Sequence, residues 1–571
     1  MASAGALQTG AAVPVPEALR RCSHAADAPC APEQWRYRQP HPATLIAPTG
    51  TCLVGGLRPA AIGACALAVL AGARQRRRVK RHGWTAMGAA RRRGPLTVED
   101  RYTKLKVKEG YIMSNMKHVL VAYSMRPRPG CSLQPAAAHF AAEATTGAGA
   151  RPGKVRWEPF PESCGAFVYQ LDAEREEVRI AYHVAVFDRS ALDGRASMTS
   201  VLNTVLGGEG DLPELLSCEV LDIFFPIGFL RLFDGPAVNV SDLWRILGRG
   251  ACTGGLILAA SVAPKVGLLP DSFGAACRSL WEDVDLVSGG PLQANHPYCT
   301  LQDCLTEVTS ALRTSIAEQG QQKLFAISIA ADDPWEMVER GRLTLQRFGP
   351  LAECCGFLVG GPLLGLSSLT AARRSFPGQF LHYGGATGVA LSGTASRPQR
   401  GLSAAAHAKI ARLLGASGVR VDLQSCLDGG IADVLQRDVC TGPCFAQAWE
   451  GMKQATPMVT GVTSALELPM LFEALGHSGL LLELGPAYLP QLGGLQLGAL
   501  AASCRQAEEA WKLWRAGALG GSEVSLADAV VGWAGERQEL RADFQAHEED
   551  ADRLYPGWRE SLPAGPQQQG G

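Results

Sequence analysis

Charge is scarce in this chain, and cysteines paired at C-x-x-C spacing are absent. Only 19% of its 571 residues are charged, 47% are apolar and the mean hydropathy is +0.03, the composition of a globular protein. The 17 cysteines are odd in number and scattered, which argues against a disulfide framework in a chain this long and for mostly reduced, structural thiols. The doublet Cys354-Cys355 and the pair Cys440/Cys444 read as packing residues rather than metal ligands. Long apolar runs are missing too. The run Pro59–Ala73 is fifteen residues, short of the roughly twenty that a membrane span needs.

What charge there is lies unevenly. Lys plus Arg and Asp plus Glu both total 54, but residues 1–97 hold 14 basic and 3 acidic side chains, leaving the remainder with 40 against 51, a net −11. An acidic body argues against nucleic acid as a partner. The first 97 residues are rich in Ala, Pro and Arg and have no sustained helical or strand period, and Arg74, Arg76, Arg77, Arg78, Lys80 and Arg81 follow the apolar run. They read as an address removed shortly before Glu99, Asp100 and Arg101, with a plastid as the expected destination and no membrane association in the mature form. A mitochondrial presequence or a plain disordered tail are the alternatives.

Regular patterning begins near residue 100. His118–Tyr123 alternates as a strand, Gln134–Ala142 has helical spacing, and Ala166–Leu171 and Val178–Val184 alternate again. This predicts an α+β domain over residues 98–235. Eight short apolar strands then alternate with longer helical stretches: Leu256–Val262, Val284–Val287, Lys323–Ile329, Gly356–Val359, Phe380–Tyr383, Gly418–Val421, Pro457–Thr460 and Gly479–Glu483. Eight such units closing on themselves predict a (β/α)8 TIM barrel of the α/β class over residues 236–545, with residues 546–571 as a C-terminal tail.

Barrels of this kind place chemistry after the carboxyl ends of their strands. The ionisable residues at those ends are Lys265, His382, Asp422 and Glu483, and none has a neighbour of matched role in the sequence. For Lys265 the bland reading is a structural ion pair, and for His382 a satisfied core or rim histidine.

Several segments, in order, carry a resemblance: RYTKLKVKEGYIMSNMKHVLVAYSMRP, AAHFAAEATTG, LFDGPAVNVSDLWRILGR, KLFAISIAADDPWEMVERG, LTAARRSFP, ARLLGASG, GMKQATP and LYPGWR. Together they make residues 101–559 similar to the large subunit of form II ribulose bisphosphate carboxylase (RuBisCO). The resemblance implies a ferredoxin-like α+β domain before the barrel, and a head-to-tail dimer with shared active sites. It also implies a Mg²⁺ ion held by a carbamylated lysine, an Asp and a Glu after strand two.

The polar residues that this family needs are mostly missing. The three metal-ligand positions fall on Val287, Gly289 and Gly290, and a small hard cation needs several oxygen ligands that these cannot give. Ser288 between them has one neutral hydroxyl. The lysine of strand one falls on Ala263 in the triplet Ala263-Pro264-Lys265. The family's His-Arg pair falls on Gly384 and Gly385, a second His on Thr387, and a phosphate-proximal His on Arg420. The mobile-loop lysine falls on Asp428, which reverses the charge offered to a growing carboxylate. The phosphate-cradling glycines become Thr460-Gly461-Val462 and Gly485-Pro486, and the active-site Asn falls near Gly207. Lys265 and Glu143 are the retained family positions, Glu143 being equally well read as a solvated or capping residue.

The expected function is therefore that of a RuBisCO-fold pseudoenzyme with no cofactor and a structural or regulatory role. Its expected partner is a second copy or an intact form II subunit. The alternatives are a carboxylase, or a sugar-phosphate enolase or isomerase, with a rebuilt site.

Overall fold

A computed structural model of the chain describes residues 97–147, 164–208, 211–250, 254–290, 295–360, 365–384, 389–391, 393–394, 397–422, 449, 451–485, 496–519 and 524–562. The leader, Gly385, Thr387, Asp428, Cys440, Cys444, Pro486 and the side chain of Asp422 lie outside the described residues.

The α+β domain is built on strands β1 (His118–Pro127), β2 (Phe167–Asp172), β3 (Glu177–His183) and β4 (Leu215–Phe224). Alternation along β1 sends Val119, Val121, Tyr123 and Met125 to one face, against Ala136, Ala137, Phe140 and Ala141 of the helix Leu133–Glu143. Leu120 takes the opposite face, where Phe167, Tyr169, Ala181 and Ile112 of the helix Glu109–Ser114 form a smaller cluster. Tyr123 and Tyr182 close the main core with an O–O hydrogen bond of 2.7 Å, and Tyr123 also donates to the Val205 carbonyl.

All eight expected barrel strands form: β5 (Ile257–Ser261), β6 (Leu286–Ser288), β7 (Leu324–Ser328), β8 (Cys355–Leu358), β9 (Leu381–Tyr383), β12 (Gly418–Asp422), β13 (Thr456–Val462) and β14 (Leu481–Leu484). They are parallel and close into a barrel, β12 pairing with β9 and β14 with β5. One set of alternate residues, among them Ile257, Ala259, Leu286, Leu324, Ala326, Phe380, Met458 and Leu481, packs inside the barrel. The intervening set, including Leu258, Val287, Phe325, Phe357 and Val459, joins the core shared with the helices. Trp244, on the helix Val240–Ile246, plugs the amino-terminal end and donates to the Gly255 carbonyl at 2.8 Å. A Cβ on Gly254 would stand 2.0 Å from its ring, so this approach requires glycine.

Two features cross the expected domain boundaries. The hairpin β10 (Val389–Leu391) and β11 (Gln399–Leu402) leaves the barrel between β9 and β12 and extends the first sheet, giving the order β10-β11-β4-β1-β3-β2 with β11 parallel to β4. Residues 546–562, set apart as tail by sequence, are largely helical, and Ala551, Tyr555 and Trp558 are buried in the main core. Tyr555 donates to the Leu466 carbonyl at 2.6 Å, which anchors this end. The helix Ala404–Leu414 is buried along its length and joins the two domains. Its Lys409 reaches Asp222 of β4 at 2.5 Å, its His407 meets Tyr383 of β9 at 3.0 Å, and its Arg412 lies 4.1 Å over the Trp449 ring.

Candidate functional site

The inward alternation of the barrel strands continues to their carboxyl ends. It brings Ser261, Ser288, Ser328, Leu358, His382, Arg420, Thr460 and Glu483 to the same inner face, one from each strand. Four of them form a continuous polar chain. Arg420 of β12 is ion-paired with Glu483 of β14, Glu483 accepts from the Ser261 hydroxyl at 2.5 Å, and Ser261 meets Ser288 of β6 at 3.0 Å. The Arg420 side chain is 40% exposed and that of Glu483 14%, so the pair sits half in and half out of the mouth.

His382 lies beside this chain in a different state. It is buried in the barrel against Phe380, with ring centroids 4.7 Å apart, and among the described residues its Nε2 has no hydrogen-bond partner. Burial, helped by the Arg420 charge, pushes its pKa down to about 3. Gly356 makes room for the ring, because a Cβ there would stand 2.9 Å from Nε2. Such an imidazole stays neutral near pH 7 and has too low a pKa for efficient general-base work there. Where the bland sequence reading is a satisfied core or rim histidine, the ring lies buried in the barrel with one nitrogen unsatisfied among the described residues.

Residues 239–547 match the catalytic domain of the ribulose bisphosphate carboxylase large chain, and residues 107–229 match its N-terminal domain. The chain belongs to this family. It is 42% identical to the chloroplastic ribulose bisphosphate carboxylase of Heterocapsa triquetra, over 88% of this chain and 68% of that one. It is 37% identical to the ribulose bisphosphate carboxylase of Paramagnetospirillum magnetotacticum, over 81% of this chain and 98% of the relative. A Symbiodinium relative is 42% identical, but the chain spans only 31% of its length. Among solved structures, the dimeric archaeal RuBisCO from Hyperthermus butylicus shares the fold at a TM-score of 0.61 and 22% identity, covering 79% of this chain and 99% of its own.

The RuBisCO resemblance implies Mg²⁺ at the end of strand two, here β6. The donor set there does not fit it. Val287 faces outward into the core behind the barrel, Ser288 turns its hydroxyl to Ser261, and Gly289 has no side chain. The carboxylate within this chain of contacts, Glu483, already holds a guanidinium and a hydroxyl. Among the described residues no three His, Cys, Asp or Glu side chains come together as a metal-binding group. Among the described residues, a hard divalent cation would find one shared carboxylate and a positive charge beside it.

The remaining predicted positions are dispersed. Ala263 and Lys265 follow β5, and Lys265 is exposed with no ion pair among the described residues. Glu143 ends the helix Leu133–Glu143 and lies 3.8 Å from His139 Nε2, while His139 Nδ1 lies 3.1 Å from Glu214. Gly207 adopts φ +84°, and a Cβ there would stand 2.6 Å from the Phe140 ring, so an asparagine at this spot would displace a core side chain. Gly384 follows β9 with nothing but the Gly360 carbonyl near its would-be Cβ. Cys354 and Cys355 are buried free thiols; burial pushes Cys354 up to about 11 and Cys355 further upward, as suits packing residues.

Sequence reasoning singled out Arg420 and Glu483 separately and missed that they meet. It passed over Ser261 altogether. Period-two alternation put all three on the inward face, but only strand order places Glu483 between Arg420 and Ser261.

Proposed function

We propose that this chain is a form II-type RuBisCO-fold protein without carboxylase or oxygenase turnover, acting as a structural or regulatory partner in a plastid. The observation that carries this reading is the polar chain Arg420–Glu483–Ser261–Ser288. Among the described side chains of the inner face it engages the one carboxylate, Glu483, with an internal cation, where turnover in this family calls for a magnesium site. The fold tolerates the loss because barrel stability rests on strands, helices and the opposite face. A rebuilt enolase or isomerase site would need a base that titrates near neutrality, and the buried imidazole at hand titrates far below it.

Plastid residence is supported by the chloroplastic relative and by the basic first 97 residues. Association with a second copy or with an intact form II subunit is supported by the dimeric relative of the same fold. The test is capture of labelled CO₂ by the purified protein with ribulose bisphosphate and Mg²⁺. No product above the level of a heat-denatured control is expected, and sustained product formation overturns the proposal. Co-expression with an intact form II subunit, followed by affinity purification of one tagged chain, reads out the partner: a mixed dimer or a self-dimer is expected, and a strict monomer removes the structural role.

A further inference from the structure

Away from the barrel, two histidines stand directly opposite each other on neighbouring strands of the first sheet. His118 of β1 pairs with His183 of β3, and their rings meet edge-on with centroids 5.4 Å apart. Phe167 of β2 completes the corner, 5.6 Å from His118, and the Lys104 ammonium lies 4.1 Å from the centre of the same phenyl ring. Lys117, next to His118, acts electrostatically on both imidazoles. Among the described residues none of these four basic groups is ion-paired with a carboxylate. Glu109, on the helix that packs against this face of the sheet, is ion-paired with Arg179 at 3.0 Å.

The ring nitrogens are oriented by their neighbours. Asn115 Oδ1 accepts the Lys117 backbone N–H at 3.0 Å, so it also accepts from His118 Nδ1 at 3.3 Å. His183 Nδ1 accepts the Ala185 N–H at 3.3 Å, which leaves the proton of the neutral ring on Nε2. His183 thus has a donor to offer, and His118 gains one on Nε2 when it is protonated. Opposed imidazoles are equally a ligand set for a transition-metal ion. The two ammonium groups decide against that, because each repels a cation and attracts an anion.

We propose that this corner binds a small, doubly charged tetrahedral oxyanion, a phosphate group above all, between the two imidazoles and the Lys104 and Lys117 ammonium groups. Burial and the neighbouring cations together disfavour the charged imidazoles. Burial first, then His183, Lys104 and Lys117, holds the His118 pKa down at about 4, and burial followed by Lys117 lowers that of His183. A bound dianion supplies the missing counter-charge and raises both, so binding takes up protons and tightens as pH falls. The site lies on the α+β sheet and does not depend on whether the barrel turns over.

The experiment is a titration of the full chain with sulfate, which stays doubly charged across the range used, followed by calorimetry and by the ring-proton shifts of the histidines. Saturating sulfate is expected to raise the His118 midpoint by about one unit or more, which makes affinity about twofold higher at about pH 5 than at about pH 8, with a further rise below that. Lys104→Ala and Lys117→Ala, both at exposed positions, should each weaken binding roughly fivefold without changing Tm. Parallel titrations with inorganic phosphate and glycerol phosphate separate a free ion from an ester. A His118 midpoint indifferent to sulfate, or an affinity unchanged in Lys104→Ala, overturns the proposal. So does Zn²⁺ binding tighter than sulfate and lost in His183→Ala.

Discussion

The two ends of the barrel use charge in opposite ways. At the amino-terminal end Asp285, only 4% exposed, is ion-paired with Arg249 and lies 3.7 Å from Arg505, and its other oxygen accepts the Leu258 N–H at 3.0 Å. Arg249 also donates to the Leu256 carbonyl, and Lys323 donates to that of Val284. Each charge there ties down backbone at a strand start or helix end, in a cleft of ≈ 630 Å³ lined mainly by polar side chains. At the carboxyl-terminal end Arg420 and Glu483 chiefly answer one another and two serine hydroxyls. The lesson is that one end is charged for stability, while the other holds charge that has been neutralised in place. This agrees with the general division of labour between the two faces of such barrels.

Breaking the comparison at its stable end should cost most. Asp285→Ala leaves Arg249 and Lys323 without their buried counter-charge, and a loss of about 3–5 kcal/mol in denaturant unfolding is expected. A loss below about 1 kcal/mol would make the two ends equivalent.

The buried imidazole sharpens the contrast through pH. The unfolded chain takes up a proton on His382 near pH 6.5, whereas the folded protein does not do so until about pH 3. Stability is therefore fully present above about pH 6.5 and declines as pH falls through that window. His382→Leu should flatten the decline by about 1.4 kcal/mol per pH unit, and parallel curves for the two proteins would show that the ring protonates while folded.

The smallest effect is expected at the mouth. Arg420→Met should cost about 1 kcal/mol, given how exposed the guanidinium is, and the double variant Arg420→Met/Glu483→Met should recover most of it. A double variant worse than the sum of its parts would give the mouth pair a structural role like that of Asp285.

Much of the fold was legible because burial imposes period. Each barrel strand appears within about three residues of its expected ends, since apolar runs bounded by glycine, proline or polar residues leave little freedom. The hairpin β10–β11 was not legible. Its two strands are three and four residues long, and the pairing of β11 with β4 joins segments some 180 residues apart, a tertiary choice that local pattern does not encode. The site was half legible. Residue identities at the strand ends showed that the expected metal positions Val287, Gly289 and Gly290 carry no oxygen-bearing side chain. The Arg420–Glu483 contact, spanning 63 positions, depends on strand order around the closed barrel. The buried state of His382 depends on a glycine one strand away, at 356.

The most direct test of the central claim is Mg²⁺ binding to the purified protein, measured calorimetrically under CO₂-saturated buffer with Arg420→Ala in parallel. The account predicts no stoichiometric binding to the natural chain. One Mg²⁺ per chain, bound tightly and only in the presence of CO₂, would contradict it.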